Sequence, residues 1–233
     1  MSDNFNNCYR PLTSEEEWKS LLVKPASQWK DGKSAKELAR YWSSRECLPP
    51  EFQHLFGNEQ IEILFIFPEY GISMPAQGGK SMNDIYILAA TETGYSVIMV
   101  EAKAGEPFDS LISDWYQAKS KNTDQGCNAF TRLNTILSEL GLEKYAGEPY
   151  TAIGGYRYQL FHRTLGAIIE AKRVRANRAF VIIQSFADDP MSLAEFMGFI
   201  GLLIPNHSGK VNELIGPVEI DRIELFFAWL DHT

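Results

Sequence analysis

The spacing of hydrophobic residues along this chain changes several times, and each change marks a new element. Near the N-terminus two Ser-x-x-Glu boxes, Ser14 with Glu17 and Ser34 with Glu37, each precede a stretch of helical spacing. In such a box the serine accepts from a first-turn amide and the glutamate reaches back to the cap, so helices are predicted over 14–23 and 34–46. In the second, Leu38, Tyr41 and Trp42 share an inward face, and Pro49-Pro50 ends it before a short helical turn at 51–56. The spacing then shortens. A nearly unbroken apolar run at 61–67 and two β-rich runs, 84–91 and 95–103 on either side of Thr93-Gly94, read as a three-stranded meander. The segment from Pro68 to Asn83, with Gly71, Pro75, Gly78 and Gly79, reads as a surface loop placed to sit beside a ligand.

Helical spacing returns after Pro107, with Leu111, Ile112 and Trp115, then Phe130, Leu133, Ile136, Leu137 and Leu140, ending at Gly141. A helix over 156–174 turns Phe161, Leu165 and Ile168 inward and carries Gln159, His162, Arg163, Gly166 and Glu170 around a polar, charge-mixed face. An apolar strand at 179–186, a helix capped by Ser192-x-x-Glu195 and running to about 203, and a strand at 223–230 complete the pattern. Helices and strands in this order describe one α/β domain, and 233 residues are enough to bury most of its apolar surface. There is no internal repeat and no linker. The parts are an N-terminal helical extension (1–33), a core (34–186) and a C-terminal helix and strand (187–233). Phe196, Met197, Phe199 and Ile200, with Phe226, Phe227 and Trp229, supply more apolar surface than one sheet layer needs, which allows for a homodimer contact.

Composition excludes several classes. With 45% hydrophobic and 22% charged residues the chain is neither disordered nor low in complexity. Its longest apolar helical stretch, 193–204, contains Glu195 and falls short of the roughly 20 residues of a membrane span, so no membrane partner is expected. A polar N-terminus without a signal pattern and three widely spaced cysteines, Cys8, Cys47 and Cys127, indicate a cytoplasmic protein with free thiols. Cys-x-x-Cys and His-Glu-x-x-His are both missing, which argues against structural zinc. Gly79-Lys80-Ser81 has Met74 where a phosphate-binding loop needs its first glycine, and there is no Gly-x-Ser-x-Gly elbow. A net charge of −8 argues against general coating of nucleic acid. The charge is uneven, however: between Tyr156 and Arg178 six basic residues face one acid, Glu170, which suggests a basic face on an acidic protein.

The strongest chemical feature lies on the meander. If Thr93-Gly94 is a two-residue hairpin loop, Glu92 opposes Tyr95 and Asp84 opposes Lys103, with Glu101 diagonal to Asp84 on the same side of the sheet. Glu101 and Lys103 share that side with Val97 and Met99, while Ile98, Val100 and Ala102 point the other way. Ionised groups at the end of so apolar a strand are costly unless paired or bound to a cation. Two arrangements satisfy this: an Asp84–Lys103 cross-strand ion pair with Glu101 in solvent, or a metal ion shared by the carboxylates.

The order helix, meander with Asp84 at the start of its second strand and Glu101-Ala102-Lys103 at the end of its third, then helix and strand, resembles the PD-(D/E)XK nuclease superfamily. Arg157-Tyr158-Gln159-Leu160-Phe161-His162-Arg163 is similar to the glutamine-bearing helix of its exonuclease-like branches. These segments, with the Ser34–Trp42 helix, also look like a bacterial domain family of unknown function assigned to that fold. The resemblance implies a restriction-endonuclease-like core, α-β-β-β-α-β with a mixed central sheet flanked by helices, here with extra helices and a C-terminal strand. It implies that Asp84, Glu101 and the Ala102 carbonyl hold Mg²⁺ or Mn²⁺, that Lys103 activates or positions water, and that Gln159 assists. Arg157 and Arg163 are then candidates for phosphate contacts. Glu37 or Glu46 could supply a further acid, although the capping box already accounts for Glu37, and His162 reads as a polar-face histidine with no catalytic part rather than as a ligand. The expected partner is DNA or RNA, short or protein-presented given the acidic charge. The implied activity is metal-dependent hydrolysis of phosphodiester bonds, and the alternative is a catalytically inactive module of the same fold that binds nucleic acid or a partner protein.

Overall fold

Antiparallel pairing of three consecutive strands builds one half of the sheet. β1 (Glu62–Ile72) pairs with β2 (Ser81–Thr91), and β2 with β3 (Gly94–Lys103), the three-stranded meander that the apolar run and the two β-rich runs predict. A computed structural model describes residues 14–22, 25–43, 45, 48–76 and 78–232 of the chain. Beyond β3 the sheet turns parallel: β3 pairs with β4 (Arg178–Ser185), and β4 with β6 (Ile223–Asp231), while β5 (Ile215–Ile220) lies antiparallel on the far edge. The order is β1-β2-β3-β4-β6-β5. Parallel neighbours need crossovers. Between β3 and β4 the chain forms α5 (Ile112–Ser120), α6 (Thr123–Glu139) and α7 (Tyr158–Val174), and between β4 and β6 it forms α8 (Pro190–Leu203). Before the sheet come α1 (Glu15–Lys19), α2 (Pro25–Gln28), α3 (Ser34–Ser43) and α4 (Pro50–Leu55). The result is a mixed six-stranded sheet flanked by helices.

Each face of the sheet has its own core. Val97 and Met99 of β3 join Tyr86, Val181, Phe227 and the inner residues of α6, α7 and α8. Ile98, Val100 and Ala102 join Ile85, Ile87, Phe180 and the α3–α4 residues Leu38, Trp42 and Phe52. Because side chains alternate along a strand, Glu101 and Lys103 must follow Met99 toward α7. That helix is buried almost all round: Phe161, Leu165 and Ile168 face the core as predicted, and so do Leu160, Thr164, Ala167 and Ala171. Its predicted polar face is therefore interior, with Gln159 and Glu170 both buried.

Several predicted boundaries shift. The loop over 68–83 contracts to 73–80, because Tyr70, Gly71 and Ile72 pair with Asn83, Met82 and Ser81. The Met82 side chain lies over Gly71, filling the space beside its Cα. The hairpin loop is Glu92-Thr93, not Thr93-Gly94: Thr91 opposes Gly94, whose φ of +130° suits glycine and whose carbonyl accepts from the Thr91 hydroxyl at 2.8 Å. Every cross-strand pair consequently moves by two positions, which preserves the face of each residue. The Ser14–Glu17 box forms, but the Ser34 box does not. Ser34 is already helical, and Glu37 accepts instead from the Gly32 amide at 3.0 Å. α8 is capped by Asp189, which accepts from the Ser192 amide at 3.0 Å, with Pro190 in its first turn. β5 escaped prediction because Gly216-Pro217 breaks its apolar run. Phe196 and Phe199 of α8 pack on Phe227 and so are consumed within this one chain. Among the described residues no helix is long and apolar enough to cross a membrane, and Cys127 is free and exposed. Cys8, Glu46 and Cys47 lie outside the described residues.

Candidate active site

The shifted hairpin register brings Asp84 opposite Glu101, not Lys103. Pairing by the β2–β3 register ends at Ile85 with Val100, and the next position is closed by the Asp84 side chain, whose Oδ2 accepts from the Ala102 amide at 2.7 Å. On the other side of β2, Pro68 opposes Ile85 and Tyr70 opposes Asn83, which leaves Glu69 in the place facing Asp84. Glu69, Asp84 and Glu101 thus stand abreast on three neighbouring strands. Glu69 has φ +50°, in the left-handed region that is uncommon for a residue with a side chain and tends to occur at functional positions. The alternation of β1 breaks there. Phe67 packs near Tyr86, and Tyr70, three residues on, stacks on that same ring at 4.6 Å.

Cations and amides converge on the central carboxylate. Glu101 is 6% exposed, and its Oε1 accepts from Lys103 Nζ at 2.9 Å and from Gln159 Nε2 at 2.5 Å, while Oε2 accepts from Arg163 Nε at 2.8 Å. Gln159 and Arg163 lie one turn apart on α7 and so present together. Each is itself held: Gln159 Oε1 accepts from the Asp109 amide at 3.0 Å, and Arg163 Nη1 donates to Ser81 Oγ at 3.0 Å. Ser81 Oγ also meets His162 Nδ1 at 2.8 Å, and Lys103 Nζ sits 4.7 Å from the centre of the Phe108 ring. The cross-strand Asp84–Lys103 pair does not form; Lys103 pairs with Glu101, which is buried rather than solvated.

The electrostatics follow from this geometry. Burial alone would raise the Glu101 carboxyl, but Arg163 and Lys103 outweigh it and bring it down to about 2. Burial and the charge of Glu101 raise Asp84 to about 7, despite Arg163 and Lys103. Burial, then Asp84 and Glu101, raise Glu69 to about 8. Burial and the neighbouring Arg163 hold His162 well below its ordinary value, so it is neutral at pH 7. With all three acids ionised the cluster carries three negative charges against the two positive charges of Lys103 and Arg163. Either protons or an added cation must balance it.

The fit to a divalent cation can be judged from the donors. Glu69 has no hydrogen bond or ion pair to a described residue, and Asp84 accepts only the Ala102 amide, so oxygen donors of the kind that suit Mg²⁺ stand without a counter-charge of their own. Among the described residues, no group of three or more His, Cys, Asp or Glu side chains is placed to hold one ion. The set the sequence points to needs only two, Asp84 and Glu101, together with the Ala102 carbonyl. Those donors fit a hard divalent ion in chemistry and in charge.

Of the predicted residues, Asp84, Glu101, Ala102, Lys103, Gln159 and Arg163 come together. Arg157 does not join them. Its Nε and Nη2 donate to Glu195 at 2.8 and 2.7 Å, and its Nη1 to the carbonyls of Phe108 and Asp109, so it ties α7 to α8. Glu37 bonds Gly32 and Arg40. The predicted basic face is largely neutralised: Lys172 pairs with Glu139 and Asp221, Arg173 with Glu170, and Arg178 with Glu59. Glu69 and Ser81 went unrecognised in the sequence because both fell within the stretch read as loop. Glu106 is a further organiser, accepting from the Ser34 amide at 3.0 Å and the Ala104 amide at 3.1 Å, which fastens the start of α3 to the end of β3.

Fold and site together define an α/β protein with a carboxylate row, a lysine, an arginine and a glutamine gathered where its meander strands meet the central helix. The chain belongs to the family described as Domain of unknown function (DUF6946), whose model matches residues 11–233. No curated protein and no solved structure matches it.

Proposed function

We propose that this protein is a nuclease of the PD-(D/E)XK superfamily, built on a restriction-endonuclease-like core and hydrolysing phosphodiester bonds of DNA or RNA in the cytoplasm with the help of Mg²⁺ or Mn²⁺. The observation that carries this reading is that two carboxyls of the row, Glu69 and Asp84, have no cation bonded to them among the described residues, beside a fully engaged lysine, arginine and glutamine. Asp84, Glu101 and the Ala102 carbonyl would hold the ion, which when bound polarises a phosphate and lowers the pKa of water. The chain does the positioning. Arg163 and Gln159 fix the Glu101 carboxylate in one orientation, and Ser81 in turn fixes Arg163. Lys103, held between Glu101 and the Phe108 ring, keeps a positive charge at the strand end, where it orients an attacking water and offsets charge developing on the phosphate.

The test is cleavage of labelled duplex DNA, single-stranded DNA and RNA with Mg²⁺, Mn²⁺ or EDTA, using the wild type, Asp84→Ala and Lys103→Ala. Metal-dependent cleavage that both substitutions abolish, with folding intact, is the expected result. One observation favours a second reading, an inactive module of the same fold that binds nucleic acid or a partner protein: both oxygens of Glu101 are already occupied by side-chain donors. No cleavage of any substrate, together with no divalent-ion thermal shift that depends on Asp84, would select that module.

A further inference from the structure

A pocket of about 400 Å³ opens next to the carboxylate row, bounded by the 78–80 loop, α5, α6 and the first turns of α7. It connects to the site physically. His162 lines the pocket and contacts Ser81, which holds Arg163, and Asp109, also on its wall, has its amide held by Gln159. The volume falls in the range of small-molecule sites, which is roughly 300–1,000 Å³.

The pocket contains a buried cation with no acidic partner. Arg132 of α6 is 8% exposed and forms no ion pair with any described residue. Its Nε donates to the Tyr158 hydroxyl at 2.8 Å and its Nη2 to the Gly79 carbonyl at 2.9 Å, which fixes the guanidinium plane and leaves Nη1 without an acceptor among the described residues. Gly78, at φ +147°, lies against that same Nη1, and a side chain there would displace it. Three other buried or half-buried arginines are neutralised: Arg157 by Glu195, Arg163 by Glu101 and Arg178 by Glu59. A guanidinium held in place, buried and unpaired calls for an anion from outside, and its forked donors match a phosphate. Lys80 and Lys119 stand exposed on the rim, against one acid, Asp109. Trp115, stacked on Tyr158 at 3.9 Å, adds a flat aromatic wall.

We propose that this pocket is a subsite for a single unpaired nucleotide, its phosphate on Arg132 between Lys80 and Lys119 and its base against Trp115. As a substrate subsite this rests on the nuclease reading, because the pocket adjoins the carboxylate row. Aromatic stacking beside a cation is the means by which unpaired nucleotides are commonly held. The consequence is a preference for single strands, frayed ends or overhangs over intact duplex.

The experiment is a titration in EDTA of tryptophan fluorescence with a deoxynucleoside 5′-monophosphate, and in parallel with inorganic phosphate. The nucleotide should quench the signal, and Arg132→Gln should weaken its binding at least tenfold. Lys80→Ala and Lys119→Ala change exposed side chains, so they test the pocket even if Arg132→Gln fails to fold; each should weaken binding severalfold and flatten its salt dependence. Asp84→Asn should leave binding within twofold, because the row is not needed to hold the nucleotide. No quenching, or binding that the lysine variants leave unchanged, would overturn the proposal. Phosphate binding as tightly as the nucleotide would overturn it too, reducing the pocket to an anion site. The two readings fail separately: nucleotide binding without cleavage of any strand removes the nuclease and keeps the pocket, and cleavage without nucleotide binding does the reverse.

Discussion

Two buried glutamates, Glu101 facing the central helix α7 and Glu170 on it, have different surroundings. Glu170, near the C-terminal end of α7, is 4% exposed; its Oε2 accepts from Arg173 Nε at 2.7 Å and Nη2 at 2.5 Å and from the Tyr70 hydroxyl at 3.3 Å. Arg173 extends to solvent and also donates to the Tyr70 hydroxyl at 2.9 Å. One acid meets one base, and the cluster is closed. Glu101 is buried to a similar degree and has more donors, yet its cluster is not closed, because Asp84 and Glu69 stand beside it without cations of their own. A buried carboxylate with an arginine is therefore no mark of a site. What separates the two regions is charge left over after every pair has been made.

The largest predicted effect breaks this comparison at its centre. Glu101→Gln breaks the ion pairs of two buried cations at once, Lys103 and Arg163, and leaves them only Asp84 and Glu69 nearby, neither bonded to them, which should cost about 3–5 kcal/mol and abolish cleavage. Glu170→Gln leaves only Arg173, which solvent can take, and should cost about 1 kcal/mol with cleavage per folded molecule unchanged. Urea unfolding of both variants measures the contrast, and equal losses would erase it. Next in size is Asp84→Asn. The amide oxygen can still accept from Ala102, while the repulsion with Glu101 and Glu69 disappears. The metal-free protein should gain about 1–2 kcal/mol while losing cleavage and any thermal response to Mg²⁺, the trade of stability against activity expected at a strained site.

Acidity sharpens the same point over a narrower range. Asp84 and Glu69 keep their protons in the folded state up to about 7 and about 8, whereas in the unfolded chain they lose them near 4. The unfolded state therefore binds fewer protons across that interval, so the stability these groups contribute at low pH is lost as pH rises through the folded values. His162 and His232 have depressed values and cost stability only below about 6.5, so they are silent above neutrality. From pH 7 to 8.5 the Tm of the metal-free protein should fall by about 2–4 °C, less so in Asp84→Asn or with Mg²⁺ present. A Tm that is flat over this range, or that rises, would mean the row carries no surplus charge.

How much of this was legible in the sequence depends on the distance over which each feature is decided. The faces of β3 could be read directly, because alternation from Val97 to Lys103 is local, and a two-residue error in the hairpin left them unchanged. The partner of Asp84 could not. It depends on whether Gly94 closes the turn or opens the strand, and Thr-Glu-Thr-Gly allows either. Glu69 was hidden by its neighbours: Pro68, Gly71 and Pro75 have the composition of a loop, yet Pro68 and Gly71 lie in the strand, opposite Ile85 and Met82. The basic stretch from Tyr156 to Arg178 misled for another reason. Four of its six charges are neutralised by Glu59, Glu101, Glu139, Glu195 and Asp221, acids far away in the chain that no local count can assign. Arg132 went unnoticed because a lone arginine on an amphipathic helix signals nothing until the absence of an acid beside it is seen.

The smallest effect concerns Arg157, where sequence and structure diverge most. As a sequence it is a candidate phosphate contact next to Gln159; in the fold its donors are spent on Glu195 and on two carbonyls. Glu195→Gln removes the charge that holds it and keeps the shape of the side chain. If Arg157 serves to join α7 to α8, the variant should lose about 1 kcal/mol, since the pair is only partly shielded from water, and cleavage should keep its rate and its dependence on substrate concentration. If Arg157 is instead a phosphate ligand kept in check by Glu195, freeing it should tighten binding of nucleic acid and lower KM. A KM titration of the variant on single-stranded DNA therefore decides whether this arginine belongs with the closed pairs, like Arg173, or with the open region around Glu101.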